Sequence, residues 1–467
     1  MSGVTTRIDF IYFVFFGLIL GAIILKLPFL AAFLLLGLII TIAFAKKPLG
    51  ALAVMILILP FSNAILLRDP VMMKGTEPIY LIAAMVIFFA MINIKDSVKM
   101  PRYALLIVLI ILTVFIIAAL RSIPNLDFIN LRNTMDGREA LSKSQHILKT
   151  LIRPLFYFAP LVVVIKFTRN EKNLEFLIKT INFAILIFSV CILYIYFFKV
   201  FGKSILEITQ NYSDYIGLQR NDLADYLILG LPFLIARYFL KRNFLNILGI
   251  GMCVLAIGFS FTRTAYVTTI FSFIFYFIIS KRAKFLPVLI AIAFGATFFV
   301  SGIIIERAGK GLDTGDRNKI SAGRIDNQWI PLLEEYFDEP QKLLLGNGRF
   351  AIASSRAVAQ GLTPDSMLHP HNMYIEQIID AGIIAFIIII ICHTVIMLKI
   401  FRSLKAAITK GILEYQYAVF VSMTSYFIAG ITGRTLFPSG RSSLLWVVLG
   451  LGIAITRIID ESTEEEI

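Results

Sequence analysis

Long uninterrupted runs of apolar residues dominate the chain, and short polar stretches separate them. A helix needs about 20 mainly apolar residues to cross a bilayer, and continuous runs of that length favour helices over the alternating strands of a membrane barrel. The pattern predicts fourteen membrane-spanning segments, at residues 9–25, 28–45, 50–67, 79–94, 104–119, 154–168, 176–198, 222–240, 244–262, 265–280, 285–305, 376–400, 414–432 and 443–458. We therefore expect an all-α fold, a polytopic transmembrane helical bundle of about 12–14 spans with a large external loop subdomain.

Composition excludes several other classes of protein. Apolar residues make up 58% of the 467 residues and charged residues only 16%, whereas soluble domains carry about 25% charged residues. This balance excludes a soluble enzyme, a disordered chain and a disulfide-rich secreted scaffold. The three cysteines all lie inside apolar runs and form no metal-binding or disulfide pattern. The net charge of +14 is typical of the basic loop ends of a membrane protein and does not indicate a nucleic-acid partner.

Basic clusters predict the orientation in the membrane. They recur after every second predicted span, at residues 46–47, 95–102, 169–172, 241–242, 281–284 and 402–410. Since cytoplasmic loops are enriched in Lys and Arg, an even number of spans with both ends inside places all six clusters in the cytoplasm. The larger or more polar connections then lie outside, at 120–153, 199–221, 306–372 and 433–442. We expect the third to form a small folded cap with helical stretches such as residues 330–337.

Four polar residues stand out on the predicted outer side. Arg220 lies just before a span, and Arg263 lies in a tight turn between two spans. Arg324 lies in the large loop, and His371 lies where that loop re-enters the membrane. An arginine at the end of a span often extends towards lipid phosphate groups. Each of the three arginines, taken alone, is as well explained by this contact as by a role in a site.

Taken together, the four residues indicate a different chemistry. Arginine is permanently charged and offers a planar fork to phosphate oxygens, so two or three arginines can hold a lipid-linked pyrophosphate. Histidine has an ordinary pKa of about 6.5, so its neutral imidazole can accept a proton from a hydroxyl. A base beside a bound pyrophosphate is suited to transferring a group from the pyrophosphate to an alcohol. We expect no metal and no cofactor, because no carboxylate cluster of metal-ligand type accompanies these residues.

Four stretches resemble the motifs of the O-antigen ligase and O-antigen polymerase superfamily. Residues 371–383 resemble its H-N-x-x-L motif followed by an acidic residue and glycine, and residues 220–232 resemble its P-N-D-L-A-x-Y-L segment with arginine in place of proline. Residues 261–265 resemble its T-x-S-R-x-A turn, and residues 323–350 resemble its G-R and G-x-G-x-x-F motifs. The resemblance extends over about 215–395, and the N-terminal half is similar only as a set of apolar spans.

The resemblance implies roles for individual residues. His371 would be the general base that activates the acceptor hydroxyl, and His369, two residues earlier, is the alternative base. The pyrophosphate would be bound by Arg263, Arg324 and, as a third candidate, Arg220. Asn372 and Asp380 would support the site.

The resemblance also implies a glycosyltransferase of the bacterial inner membrane with its active site on the periplasmic side. The donor would be a glycan on undecaprenyl diphosphate, and the acceptor lipid A–core for a ligase or a second lipid-linked glycan for a polymerase. We favour the ligase slightly, because one large loop precedes the histidine. A polysaccharide flippase or transporter and a structural assembly partner are the alternatives from other classes.

Three regions divide the chain in this interpretation. Residues 1–198 form N-terminal transmembrane helices, and residues 199–400 form the ligase-like catalytic region with the periplasmic loop 306–372. Residues 401–467 form C-terminal transmembrane helices and an acidic tail, whose end at 460–466 we expect to be solvated and without regular structure.

Overall fold

The structure, a computed structural model, describes residues 47–61, 78–135, 139–286, 323–362, 369–407, 409–433, 435–439 and 442–465. Within these residues the chain forms helices and no β-strand. The α-helices are α1 (Pro48–Ile58), α2 (Pro78–Ile92), α3 (Arg102–Arg121), α4 (Leu126–Met135), α5 (Lys143–Ile147), α6 (Arg153–Phe167), α7 (Glu171–Ile195), α8 (Ile205–Ile216), α9 (Arg220–Leu240), α10 (Phe244–Gly258), α11 (Arg263–Ile279), α12 (Ile330–Asp338), α13 (Pro340–Leu345), α14 (Arg356–Ala359), α15 (Met373–Ser403), α16 (Lys410–Ala429) and α17 (Ser443–Glu465). The predicted all-α fold is confirmed.

The predicted spans agree with these helices wherever the two can be compared. Predicted segments 9–25 and 28–45, and nearly all of 285–305, lie outside the described residues. Each of the other eleven overlaps a helix, and the end of the segment 50–67, at residues 62–67, also lies outside the described residues. Helices form because a lipid environment leaves each backbone N–H and C=O to be satisfied within its own segment.

Six helical stretches in the described part of the chain are long and apolar enough to cross a membrane: 102–135, 143–167, 171–200, 220–240, 373–406 and 443–463. Helices α1, α2, α10 and α11 are apolar but shorter. Helix α16 has the length of a span but a more polar sequence. The protein is therefore a multi-pass membrane protein, and the number of 12–14 spans stays a prediction.

Helices α9 and α17 lie at the centre of the bundle. In their most apolar stretches 83% of α9 and 94% of α17 is buried, against 28% of α15. The Oγ of Ser422 on α16 donates to the carbonyl of Leu229 on α9 over 2.7 Å. Helices from all three predicted regions contribute to one apolar core. Exposed apolar residues on the outward faces of α3 and α15 are left for lipid.

Residues 323–362 form a cap with a core of its own, between α15 and α3. Its buried members are Leu332, Tyr336, Ala351, Ile352, Ala357 and Val358, together with Ile375 and Ile379 of α15. The cap rests on the end of α3, where Nη2 of Arg121 donates to the carbonyl of Gly346 over 2.7 Å. The predicted helical stretch at 330–337 corresponds to α12.

The acidic tail differs from the prediction. Residues 460–466 were expected to lack regular structure, but α17 continues to Glu465. A guanidinium nitrogen of Arg457 lies 3.5 Å from the carboxylate of Glu461 one turn later. Glutamate has a good helix propensity, so the charged end prolongs the apolar helix and does not unwind it.

Candidate functional site

The backbone around His371 is fixed on both sides. Asn372 is the N-cap of α15, and its side-chain oxygen accepts hydrogen bonds from the amides of Tyr374 and Ile375 at 3.0 and 3.1 Å. On the other side, Nε1 of Trp329 in the cap donates to the carbonyl of Pro370 over 2.8 Å. Asparagine is among the best N-cap residues because its oxygen satisfies amides that have no partner in the helix. The predicted supporting residue Asn372 thus holds the start of α15.

His371 itself has a left-handed backbone with φ of +53°. Histidine, asparagine and aspartate are the non-glycine residues most often found in this region. The ring of His369 lies against the ring of His371, with centroids 4.2 Å apart and planes at 75°. The preferred base and its alternative are therefore direct neighbours.

Two helices begin side by side with an arginine. Arg220 is the first residue of α9, and Arg263 is the first residue of α11. Between them, the Thr262 hydroxyl lies 3.4 Å from the carbonyl oxygen of Arg220 and 3.3 Å from the side-chain oxygen of Asn221. Helix N-termini carry a partial positive charge from their unpaired amides. The two arginines thus stand where two helix ends already favour an anion.

Arg324 and Arg263 are connected through one residue of the turn after α16. Nη1 of Arg324 donates to the carbonyl of Thr432 over 3.1 Å. The hydroxyl of the same Thr432 is hydrogen-bonded to the hydroxyl of Thr264, the residue after Arg263. A single turn therefore contacts both arginine-bearing segments.

The next residue of that turn approaches His371. A methyl group built on Gly433 would lie 3.7 Å from the His371 carbonyl oxygen and 3.8 Å from its Nδ1. The structure thus brings the segments of Arg220, Arg263, Arg324 and His371 into one connected network, although 151 positions separate the first from the last.

Asp380 has a structural environment of its own. It is buried within α15, and Nη1 of Arg349 in the cap donates to its carboxylate over 2.6 Å. The amides of Phe350 and Ala351 donate to the same carboxylate at 3.3 and 3.0 Å. Arg349 also contacts the buried Glu376 over 3.0 Å. These donors to the Asp380 carboxylate are all cap residues, so its observed part is to hold the cap on α15.

A break in α15 completes this joint. Gly382 has φ of +89° and ψ of 161°, values outside the helical region. The carbonyls of Ile379 and Asp380 accept instead from the cap amides of Asn347 and Gly348 at 2.8 and 2.9 Å. Backbone groups that the break releases from the helix are thereby satisfied by the cap.

A tyrosine hydroxyl is the third donor at the same break. The hydroxyl of Tyr336 donates to the carbonyl of Ile379 over 3.1 Å. Burial, together with the nearby carboxylate of Asp380, raises the pKa of Tyr336 well above its ordinary value. The hydroxyl therefore stays protonated and keeps this bond across the physiological pH range.

Comparison with known families now bears on this site. Residues 244–390 match a family described as O-antigen ligase. This part of the chain belongs to the O-antigen ligase and polymerase superfamily. No match was found among curated proteins. Membership implies glycosyltransferase-like activity on lipid-linked glycans in a membrane.

The O-antigen ligase match contains most of the predicted site. Within residues 244–390 lie Arg263, Arg324, His369, His371, Asn372 and Asp380. Arg220 lies outside the match, so the resemblance predicted for residues 220–232 stays a prediction. The turn that contacts Arg324 and His371 also lies outside it.

Three residues at the candidate site were missed in the sequence. Arg349 was noted only as part of a glycine motif, and its pairing with two buried carboxylates joins positions 27 and 31 residues apart. Thr432 contacts Arg324 through its backbone carbonyl, and Gly433 approaches His371 with its backbone. A pattern of side chains in the sequence does not indicate such backbone contacts. Among the residues the structure describes, no group of three or more His, Cys, Asp or Glu is placed to hold a metal ion.

Proposed function

We propose that the protein is a glycosyltransferase of the bacterial inner membrane, with its site facing the periplasm. It would move a glycan from undecaprenyl diphosphate to an acceptor hydroxyl. Within the superfamily we favour an O-antigen ligase, whose acceptor is lipid A–core. The observation that carries the proposal is the contact of one turn, at Thr432 and Gly433, with the segments of Arg324, Arg263 and His371. A base and cations in one network suit transfer from a diphosphate.

The proposed step is a single displacement. His371 takes the proton of the acceptor hydroxyl, and the hydroxyl oxygen forms a bond to the anomeric carbon. The bond from that carbon to the diphosphate oxygen breaks with its electron pair, so the configuration inverts and undecaprenyl diphosphate leaves. Arg263 and Arg324, with Arg220 as a third candidate, stabilise the negative charge that develops on the leaving group. Guanidinium groups supply the compensating positive charge without a metal.

His369 is the second candidate for the base. Its ring contacts the ring of His371, so either imidazole has access to nearly the same place. We prefer His371, because the following residue, Asn372, begins α15 and holds His371 at a defined position.

A polymerase is the alternative within the superfamily. It would use the same base and the same arginines, and only the acceptor would differ. A flippase or transporter is less favoured, because charge should then line a path through the membrane. Arg220 and Arg263 instead lie at the first positions of α9 and α11, and not along the length of these helices.

Transfer in vitro tests the proposal. Purified protein in lipid nanodiscs receives undecaprenyl-diphosphate glycan, with and without lipid A–core, and products are separated by size and acceptor. We expect glycan on the core, with equal yield in the presence of EDTA. Longer chains on undecaprenyl diphosphate would make the protein a polymerase, and no product on either acceptor would contradict the proposal. Loss of product in EDTA that added metal restores would contradict the metal-free step.

A further inference from the structure

The connection between α16 and α17 packs against both α16 and α3. We call residues 430–433 the 430–433 turn. Just beyond it, the carbonyl of Thr435 accepts a hydrogen bond from the hydroxyl of Tyr426 on α16 over 2.8 Å. Phe437 is buried and packs against Phe115 of α3, with ring centroids 5.2 Å apart. These contacts hold the chain just after the 430–433 turn.

Phe437, which follows the turn, also contacts the cap. The guanidinium of Arg349 stacks on the ring of Phe437, 3.8 Å from its centroid. Arg349 in turn pairs with Glu376 and Asp380 on α15, the helix that begins just after His371. Phe437 is therefore linked through Arg349 to α15, whereas the 430–433 turn itself contacts the arginine segments.

Gly433 gives the turn a shape that other residues do not tolerate. Its φ of +131° lies in the region that L-residues rarely adopt. A methyl group there would meet ordinary contact distances of 3.7–3.9 Å from His371 and no steric clash. The requirement for glycine is therefore conformational. This backbone conformation at Gly433 lets the Thr432 carbonyl face Arg324 while Gly433 itself passes beside His371.

We propose that Thr432 and Gly433 are positioning residues, which set the separation between the arginines and His371. The inference rests on the proposed function. In an inverting displacement the base acts on the acceptor while the cations act on the diphosphate leaving from the opposite face of the sugar. A shift of about 1 Å between such groups costs roughly 10²-fold in rate. The 430–433 turn contacts both sets of groups and so fixes this distance.

Two sets of variants test the inference in the full-length protein. Gly433→Ala is compared with Gly202→Ala, a glycine of φ +78° with nothing within 4 Å, so both carry backbone strain but only one lies at the site. Thr432→Val removes the hydroxyl that meets Thr264, and Thr432→Ser restores it. Donor KM, kcat and thermal midpoint are measured for each.

We expect kcat to fall about 10²-fold in Gly433→Ala, with a thermal midpoint like that of Gly202→Ala. Thr432→Val should lose about 10-fold in kcat, and Thr432→Ser should recover it. Thr264→Val combined with Thr432→Val should be no worse than either alone, since both remove one contact. Equal kcat in Gly433→Ala and Gly202→Ala would overturn the inference.

The outcomes separate this inference from the proposed function. If the wild type transfers no glycan, the proposed function fails. If the wild type is active and loss of His371 abolishes activity, but the turn variants keep full kcat, only the positioning role fails. If Gly433→Ala does not fold, the Thr432→Val and Thr432→Ser pair decides, and equal kcat in both would contradict the inference.

Discussion

At the scale of single residues, His371 has a constrained backbone at the position where we propose the base. Its φ of +53° suits histidine and asparagine better than alanine. The candidate residues themselves could be predicted from the sequence, because the types His, Arg and Asn carry the chemistry and stand in recognisable motifs. The pairing of Arg349 with Glu376 and Asp380 could not, because it depends on how the cap folds back on α15.

Arg263→Lys tests the proposed role of the guanidinium fork. Lysine keeps the charge but presents a point and not a planar pair of donors, so we expect kcat/KM to fall roughly 10- to 100-fold. Steady-state transfer assays measure the effect. Arg356→Lys is the matched control, because Arg356 is an exposed cap arginine paired with Glu339 at 3.4 Å and should tolerate the change. Full activity in Arg263→Lys would reduce Arg263 to a lipid anchor.

At the scale of elements, the continuous apolar runs predicted the helices well, since length and hydropathy decide whether a segment spans a membrane. The break at Gly382 was not predicted. Gly382 lies inside a long apolar run, and the groups that satisfy the broken turn come from Asn347 and Gly348, more than 30 positions away. The helical end of α17 was mispredicted because acidic residues were treated as a sign of disorder.

Gly382→Ala tests the joint between α15 and the cap. A methyl group at this position would clash with the Leu344 carbonyl and lie 2.6 Å from the Gly346 amide nitrogen, at a φ that disfavours alanine. We expect a loss of at least about 1 kcal/mol in stability and faster proteolysis within the cap. Gly251→Ala is the control, because that helical glycine has nothing within 4 Å. Equal protease resistance of the two variants would show that the joint is not as described.

At the scale of the whole molecule, the candidate site is assembled from segments between Arg220 and Gly433. The order of the motifs indicated the segments, and the basic loops indicated their common side of the membrane. The turn that connects them could not be predicted, because it uses backbone groups and packing between α16, α17 and the cap. The pattern of side chains indicates which face of a helix is buried, but it does not indicate which connecting loops contact one another.

Cysteine labelling tests the orientation. The native cysteines Cys191, Cys253 and Cys392 are buried, so an introduced cysteine reports alone. Lys203→Cys and Lys95→Cys replace exposed residues in connections predicted to face opposite sides. In spheroplasts we expect a membrane-impermeant maleimide to label Lys203→Cys, and Lys95→Cys only after permeabilisation. The reverse pattern would place the candidate site in the cytoplasm and contradict the proposed function.

The proposed function depends on His371 as the base in glycan transfer, and asparagine variants isolate that role. Transfer is measured for wild type, His371→Asn and His369→Asn, because asparagine tolerates the left-handed backbone of His371 but cannot accept the proton. We expect a loss of about 10²- to 10⁴-fold in kcat for His371→Asn, with donor binding unchanged, and a much smaller loss for His369→Asn. Wild-type rates in His371→Asn would contradict it.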